Sequence, residues 1–172
     1  MIASRAFTLQ FGSQETSDFW VDGLRAWWQR VSAVCASTRR LVIYLDNGPN
    51  CSGTRTQFLK RMVEFADESG LEIRLVYDPP YHSKYNPVER CWSSLEQKWG
   101  GVLLTCLDVI MGYARRMLWQ QQHPHVSHLA GDYRAGVRLT KAEMQPIEAR
   151  LKRSESLPKY DITIRPQQAI GG

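Results

Sequence analysis

The chain has 172 residues, 43% of them hydrophobic and 23% charged, with a formal net charge of +5. That length suits one domain with a real core, and the balance is that of an ordinary globular protein rather than a disordered or fibrous one. No apolar run approaches the roughly 20 residues that span a bilayer, and residues 1–12 lack the apolar stretch and small-residue cleavage site of a signal peptide.

The basic excess permits nucleic-acid binding, since each neutralised phosphate releases counterions, but does not require it. The four cysteines, at 35, 51, 91 and 106, form no CxxC pair. They read as free thiols of a reducing cytosol.

Along the chain, residues 6–11 (AFTLQF) predict a short strand ending at Gly12. From Glu15 to Cys35 the apolar residues Phe19, Leu24, Trp27, Trp28, Val31 and Val34 recur at helical steps, with Thr16 or Ser17 as cap. Leu41–Leu45 is a continuous apolar run, the pattern of a strand buried on both faces. A second helix is predicted over Thr54–Glu68, stopped by Gly70, and a second such strand over Leu71–Tyr77, stopped by Pro79 and Pro80.

Asn86 and Pro87 open a further helix to about Trp99, and another runs from about Leu107 to Gln122. His123, His125 and His128 cluster in HPHVSH, but no nearby cysteine or carboxylate completes a zinc set, and the segment reads as a linker. Thr140–Lys152 predicts a short helix with Thr140 as cap and Glu143 three residues on. Tyr160–Ile164 fits a small strand. Alternating strands and helices argue for an α/β sandwich with the two apolar strands parallel. In such sheets chemistry gathers beyond the carboxyl ends of the strands, where Asp46 and Asp78 fall.

Asp46 is followed by Asn47, Gly48, Pro49 and Asn50, all turn formers, so a turn alone would account for it. Glu89, three residues after Asn86, would likewise serve a capping box. As a pair they say more. Two carboxylates on separate elements at one sheet edge make an all-oxygen site suited to Mg²⁺ or Mn²⁺, ions that activate an attacking oxygen and stabilise a leaving one at phosphorus. Trp92, Leu95 and Trp99 form a stripe of the same predicted helix and read as core that holds Glu89 in place.

The block Asp46-Asn47-Gly48-Pro49-Asn50, followed by Asp78-Pro79-Pro80-Tyr81-His82-Ser83-Lys84-Tyr85-Asn86-Pro87-Val88-Glu89-Arg90, resembles the second and third acidic blocks of DDE transposases of bacterial insertion sequences. These belong to the mariner-like and retroviral-integrase superfamily. The resemblance extends over about Gly12 to Pro166. It implies an α/β chain with a truncated ribonuclease-H-like fold: a small central sheet flanked by helices over residues 1–122 and a helical C-terminal extension over 123–172.

It further implies that Asp46 and Glu89 are catalytic metal ligands, the second and third of a triad that binds two Mg²⁺ or Mn²⁺ ions in the intact enzyme. The expected activity is DNA cleavage and strand transfer. Lys84, Arg90, His82 and Arg55 are the candidate DNA contacts. The partners implied are element-end and target DNA, with a second copy of the chain or an upstream half of the same transposase, in the cytoplasm at the nucleoid.

The family's first aspartate belongs to an opening strand that has no counterpart here. Asp18 and Asp22 fall in the predicted first helix and do not replace it. A truncated, frameshifted or split element, inactive alone, is therefore expected. The alternatives are a non-catalytic nucleic-acid-binding module or another ribonuclease-H-like nuclease.

Overall fold

A computed structural model describes residues 7–78, 93, 95–97, 100 and 106–167. The chain divides into two compact units, Met1–Ser13 with Tyr81–Gly131, and Gln14–Pro80 with Asp132–Gly172.

In the second unit, helix α1 (Ser17–Val31) begins where the Thr16 hydroxyl accepts the Phe19 N–H at 3.1 Å. Strand β2 (Arg40–Leu45) follows. Helix α2 (Thr56–Ser69) ends at Gly70, whose φ of 68° is left-handed and suits glycine. Strand β3 (Glu72–Tyr77) pairs parallel with β2, Leu45 opposite Tyr77. After the excursion into the other unit come helix α4 (Lys141–Glu148), strand β5 (Leu151–Arg153) and strand β6 (Asp161–Ile164). The sheet order is β2-β3-β6-β5, with β6 antiparallel to both neighbours.

The core of this unit joins Val21 of α1 and Phe58, Leu59, Met62, Val63 and Phe65 of α2 to Ile73, Leu75, Tyr77, Ile162 and Ile164 of the sheet. Each large side chain so buried contributes roughly 1.5–3 kcal/mol. Leu41 and Ile43 pack against this core, whereas Val42 and Tyr44 of the same strand are 39% and 70% exposed. The expectation of strands buried on both faces is thus corrected. Residues alternate across a strand, and the alternate row carries Arg40, Glu72, Arg74 and Asp161. These form ion pairs such as Arg74–Asp161 at 2.7 Å, and among the described residues no helix covers them.

In the first unit, β1 (Thr8–Phe11) pairs parallel with β4 (His125–His128), Leu9 opposite Val126. Helix α3 (Leu107–Arg116) supplies Ala114, which is buried with Leu9, Leu95 and Met117. Phe7 and Trp119 meet edge to face at 5.4 Å.

Four expectations change. The helix predicted to Gln122 stops at Arg116, because Gln120 and Gln121 take φ of 49° and 63° in a turn that bridges Trp119 to Gln122. The histidine segment is a strand, not a linker. The C-terminal region is not a helical extension: it holds β4, β5 and β6 with one eight-residue helix. That helix ends at Glu148, not Lys152, and Thr140 and Glu143 close its capping box. The helix predicted from Asn86 lies mostly outside the described residues. Among the described residues no helix is long and apolar enough to cross a membrane.

Candidate active site

Asp46 stands at the carboxyl end of β2 and Asp78 at the carboxyl end of β3, directly beside it. The Asp78 N–H donates to the Leu45 carbonyl at 2.9 Å, which carries the parallel ladder one step past the strands. Neighbouring strands lie about 4.8 Å apart, so the two carboxylates share one rim of the sheet. Asp46 is exposed and Asp78 half-buried.

The segment after Asp46 turns sharply. Asn47 adopts φ of 61°, a conformation that asparagine tolerates better than other side-chain-bearing residues. Asp46 Oδ1 accepts the Gly48 N–H at 3.1 Å and the Cys51 S–H at 3.6 Å. The turn chemistry anticipated for Asp46 is therefore present, and it engages one oxygen. Among the described residues Oδ2 has no hydrogen-bond partner, so a carboxylate oxygen remains open at the rim.

The loop is held from three sides. Tyr77 Oη donates to the Cys51 carbonyl at 2.9 Å in a buried contact. Ser17 Oγ donates to the Asn50 carbonyl at 2.7 Å, and Asn50 Nδ2 donates to the Glu15 carbonyl at 3.0 Å. Arg153 Nη1 donates to the carbonyls of Gly53 and Pro158, both at 3.0 Å. A catalytic carboxylate needs this kind of rigid support. Local sequence pattern singles out neither Tyr77 nor Arg153, and it offers Ser17 only as a helix cap and Asn50 only as a turn former. Their bonds join residues far apart in the chain, and local pattern carries no trace of them.

Burial first, and then the Asp46 charge, push the Cys51 thiol up to about 12. Cys51 is therefore a neutral S–H donor to Asp46 rather than a thiolate ligand. Burial also raises the Tyr77 hydroxyl, with Cys51 adding to the shift. The donors left at the rim are hard carboxylate oxygens, a set that fits Mg²⁺ or Mn²⁺ and suits softer metals poorly. Among the described residues no group of three or more His, Cys, Asp or Glu is placed to hold a metal.

Of the other candidates, Arg55 stands at the start of α2, where its Nε is buried without a hydrogen-bond partner. Glu89, His82, Lys84 and Arg90 lie outside the described residues. Asp18 and Asp22 are on α1, as expected, and both bind Arg61 of α2. His123 Nδ1 lies 2.9 Å from the Met117 carbonyl. His125 and His128, three residues apart, fall on opposite faces of β4.

No curated protein and no solved structure matches the chain. A family model described as the Rhodopirellula transposase DDE domain matches residues 4–166, which takes in both acidic blocks and the whole of the sheet that carries Asp46. The chain belongs to this family, the DDE transposases of insertion sequences.

Proposed function

We propose that Asp46 and Glu89 are two of the carboxylates that hold divalent Mg²⁺ or Mn²⁺ for phosphoryl transfer on DNA, in the cleavage and strand-transfer steps of transposition. The observation that carries this reading is the Asp46 carboxylate: exposed, at the carboxyl end of β2, one oxygen fixed by its own turn and the other without a hydrogen-bond partner among the described residues. Bound there, the metal would polarise phosphoryl oxygens and stabilise charge on the attacking and leaving groups.

The chain's own part is positional. The pinned loop keeps Asp46 in one place. Cys51 withholds a competing thiolate, and Asp78 adds negative charge to the same rim. Lys84, Arg90, His82 and Arg55 are the residues proposed to meet the DNA backbone. The ribonuclease-H-like arrangement and a working assembly of more than one chain belong to the same proposal, with element-end and target DNA as substrates at the nucleoid.

These 172 residues carry two acidic residues of the triad, and by themselves they are expected to hold metal weakly and not to cut DNA. A Mn²⁺ titration followed by electron paramagnetic resonance should show binding that Asp46→Asn and Glu89→Gln each weaken by at least the roughly tenfold that losing even an outer-shell partner of a ligand costs. Affinity unchanged in both variants would remove the metal reading. Robust metal-dependent nicking of element-end DNA by these residues alone would instead refute the claim that they need a further carboxylate.

A further inference from the structure

The loop that begins at Asp46 ends at the start of α2, and there the structure forms a second, chemically different recess. Pro49, Ser52, Thr54, Arg55, Thr56 and Arg138 line a cavity of about 380 Å³. Among the described residues the lining holds two guanidinium groups and three hydroxyls, and no carboxylate.

All but one of these groups are left with a donor to give. The Ser52 and Thr54 hydroxyls lie 3.3 Å apart, so whichever donates, the other keeps its proton. The Thr56 hydroxyl accepts the Leu139 N–H at 3.0 Å and so retains its own proton to give. That same bond ties the strand of chain bearing Arg138 to the first residue of α2, across 83 positions of sequence. Arg138 is exposed and, among the described residues, in no ion pair.

Arg55 Nε is buried in this wall with no hydrogen-bond partner, and an unsatisfied buried donor calls for an acceptor. No side chain caps α2 and no acidic residue lies in its first turn, so the helix's own N–H groups and dipole add to a field that favours an anion.

We infer that this recess binds a single phosphate of the DNA backbone, with Arg55 and Arg138 as its paired cationic donors. The inference rests on the transposase reading for the source of the phosphate. A phosphate seated here would be held by the same loop that carries Asp46, so the two sites would be fixed relative to each other by the bonds from Tyr77, Ser17 and Arg153.

The test uses the 172-residue chain in chelator, without divalent metal, so that its result is separate from that of the metal site. Two probes distinguish the sources. Inorganic phosphate is titrated against the nitrogen-15 spectrum of the wild-type protein, and the Arg55 Nε–H and the first amides of α2 are expected to shift and saturate. Duplex DNA binding is measured by anisotropy across a salt series. Arg138 is exposed and in no ion pair among the described residues, so Arg138→Gln should fold normally. It should weaken binding alike on all sequences and reduce the salt slope by about one. Arg134→Gln, whose native side chain pairs with Asp132 instead, should leave the slope unchanged.

An Arg55 signal unmoved by phosphate overturns the recess as an anion site. A shift with phosphate but an unchanged slope in Arg138→Gln overturns DNA as the source.

Discussion

Cys51 sits against the carboxylate of Asp46, and the pairing has a chemical signature. A thiol pushed up to about 12 is almost wholly protonated at pH 8, and the thiolate is the form that alkylates. Iodoacetamide at pH 8 should modify the exposed Cys106 while leaving the buried Cys51 intact, as read by peptide mass spectrometry. Cys51 should become reactive in urea. Equal rates at the two thiols in native buffer would contradict the burial on which the site's geometry depends. Gly53 offers a second probe of the same loop. A methyl group there would meet the Lys159 carbonyl at 2.3 Å, and backbone cannot step aside as a side chain can. Gly53→Ala should cost about 2 kcal/mol in urea unfolding, and a neutral result would mean that the loop is not held against the β5–β6 connection.

At the scale of elements, α1 is locked to α2 by charge as well as by packing. Arg61 of α2 binds Asp18 and Asp22 one turn apart on α1, with its side chain 14% exposed. Arg25 of α1 reaches back to Glu68 at 2.7 Å. Removing Arg61 leaves two like charges facing each other on one helix. Arg61→Ala should cost roughly 2–3 kcal/mol. Arg61→Lys should recover only part of this, because one ammonium cannot replace a two-pronged guanidinium. Urea titration of both variants checks the order.

Elements with local chemical punctuation were legible in the sequence. Thr16 begins a helix, Gly70 ends one, and Thr140 with Glu143 caps another, each through contacts within a few residues. Strands β4 and β5 were not legible. HVSH and LKR are too short and too polar to announce themselves, and they become strands only because β1 and β6 lie alongside. The site divides the same way. The turn after Asp46 is written in Asp-Asn-Gly-Pro-Asn, whereas the ties from Tyr77, Ser17 and Arg153 span 26, 33 and 100 positions.

For the whole molecule, the carboxylates set the acid limit of stability. The hydrogen bond from Arg150 holds Asp67 below its ordinary range, and the one from Arg74 does the same for Asp161. A carboxyl group depressed on folding stabilises the native state fully above its unfolded value of about 4. That stabilisation is lost as pH falls through the unfolded value toward the folded one. The melting temperature should therefore be flat above roughly pH 5 and fall below roughly pH 4, with Asp67→Asn shallower in that window. Both acids are partly solvent-exposed, so added salt should shrink the difference.

The pairing of β3 with β6 sets Val76 opposite Asp161, while Tyr81–Gly131 belongs to the other unit. Closing that long excursion costs chain entropy before the ladder returns any stabilisation. On the ribosome, a nascent chain that has not yet released residues 161–164 would own the rim and its acids but lack the strand that seals the sheet. A single proteolytic nick within 81–131 would leave two fragments still zipped together through β3 and β6, migrating as one species until denaturant parts them.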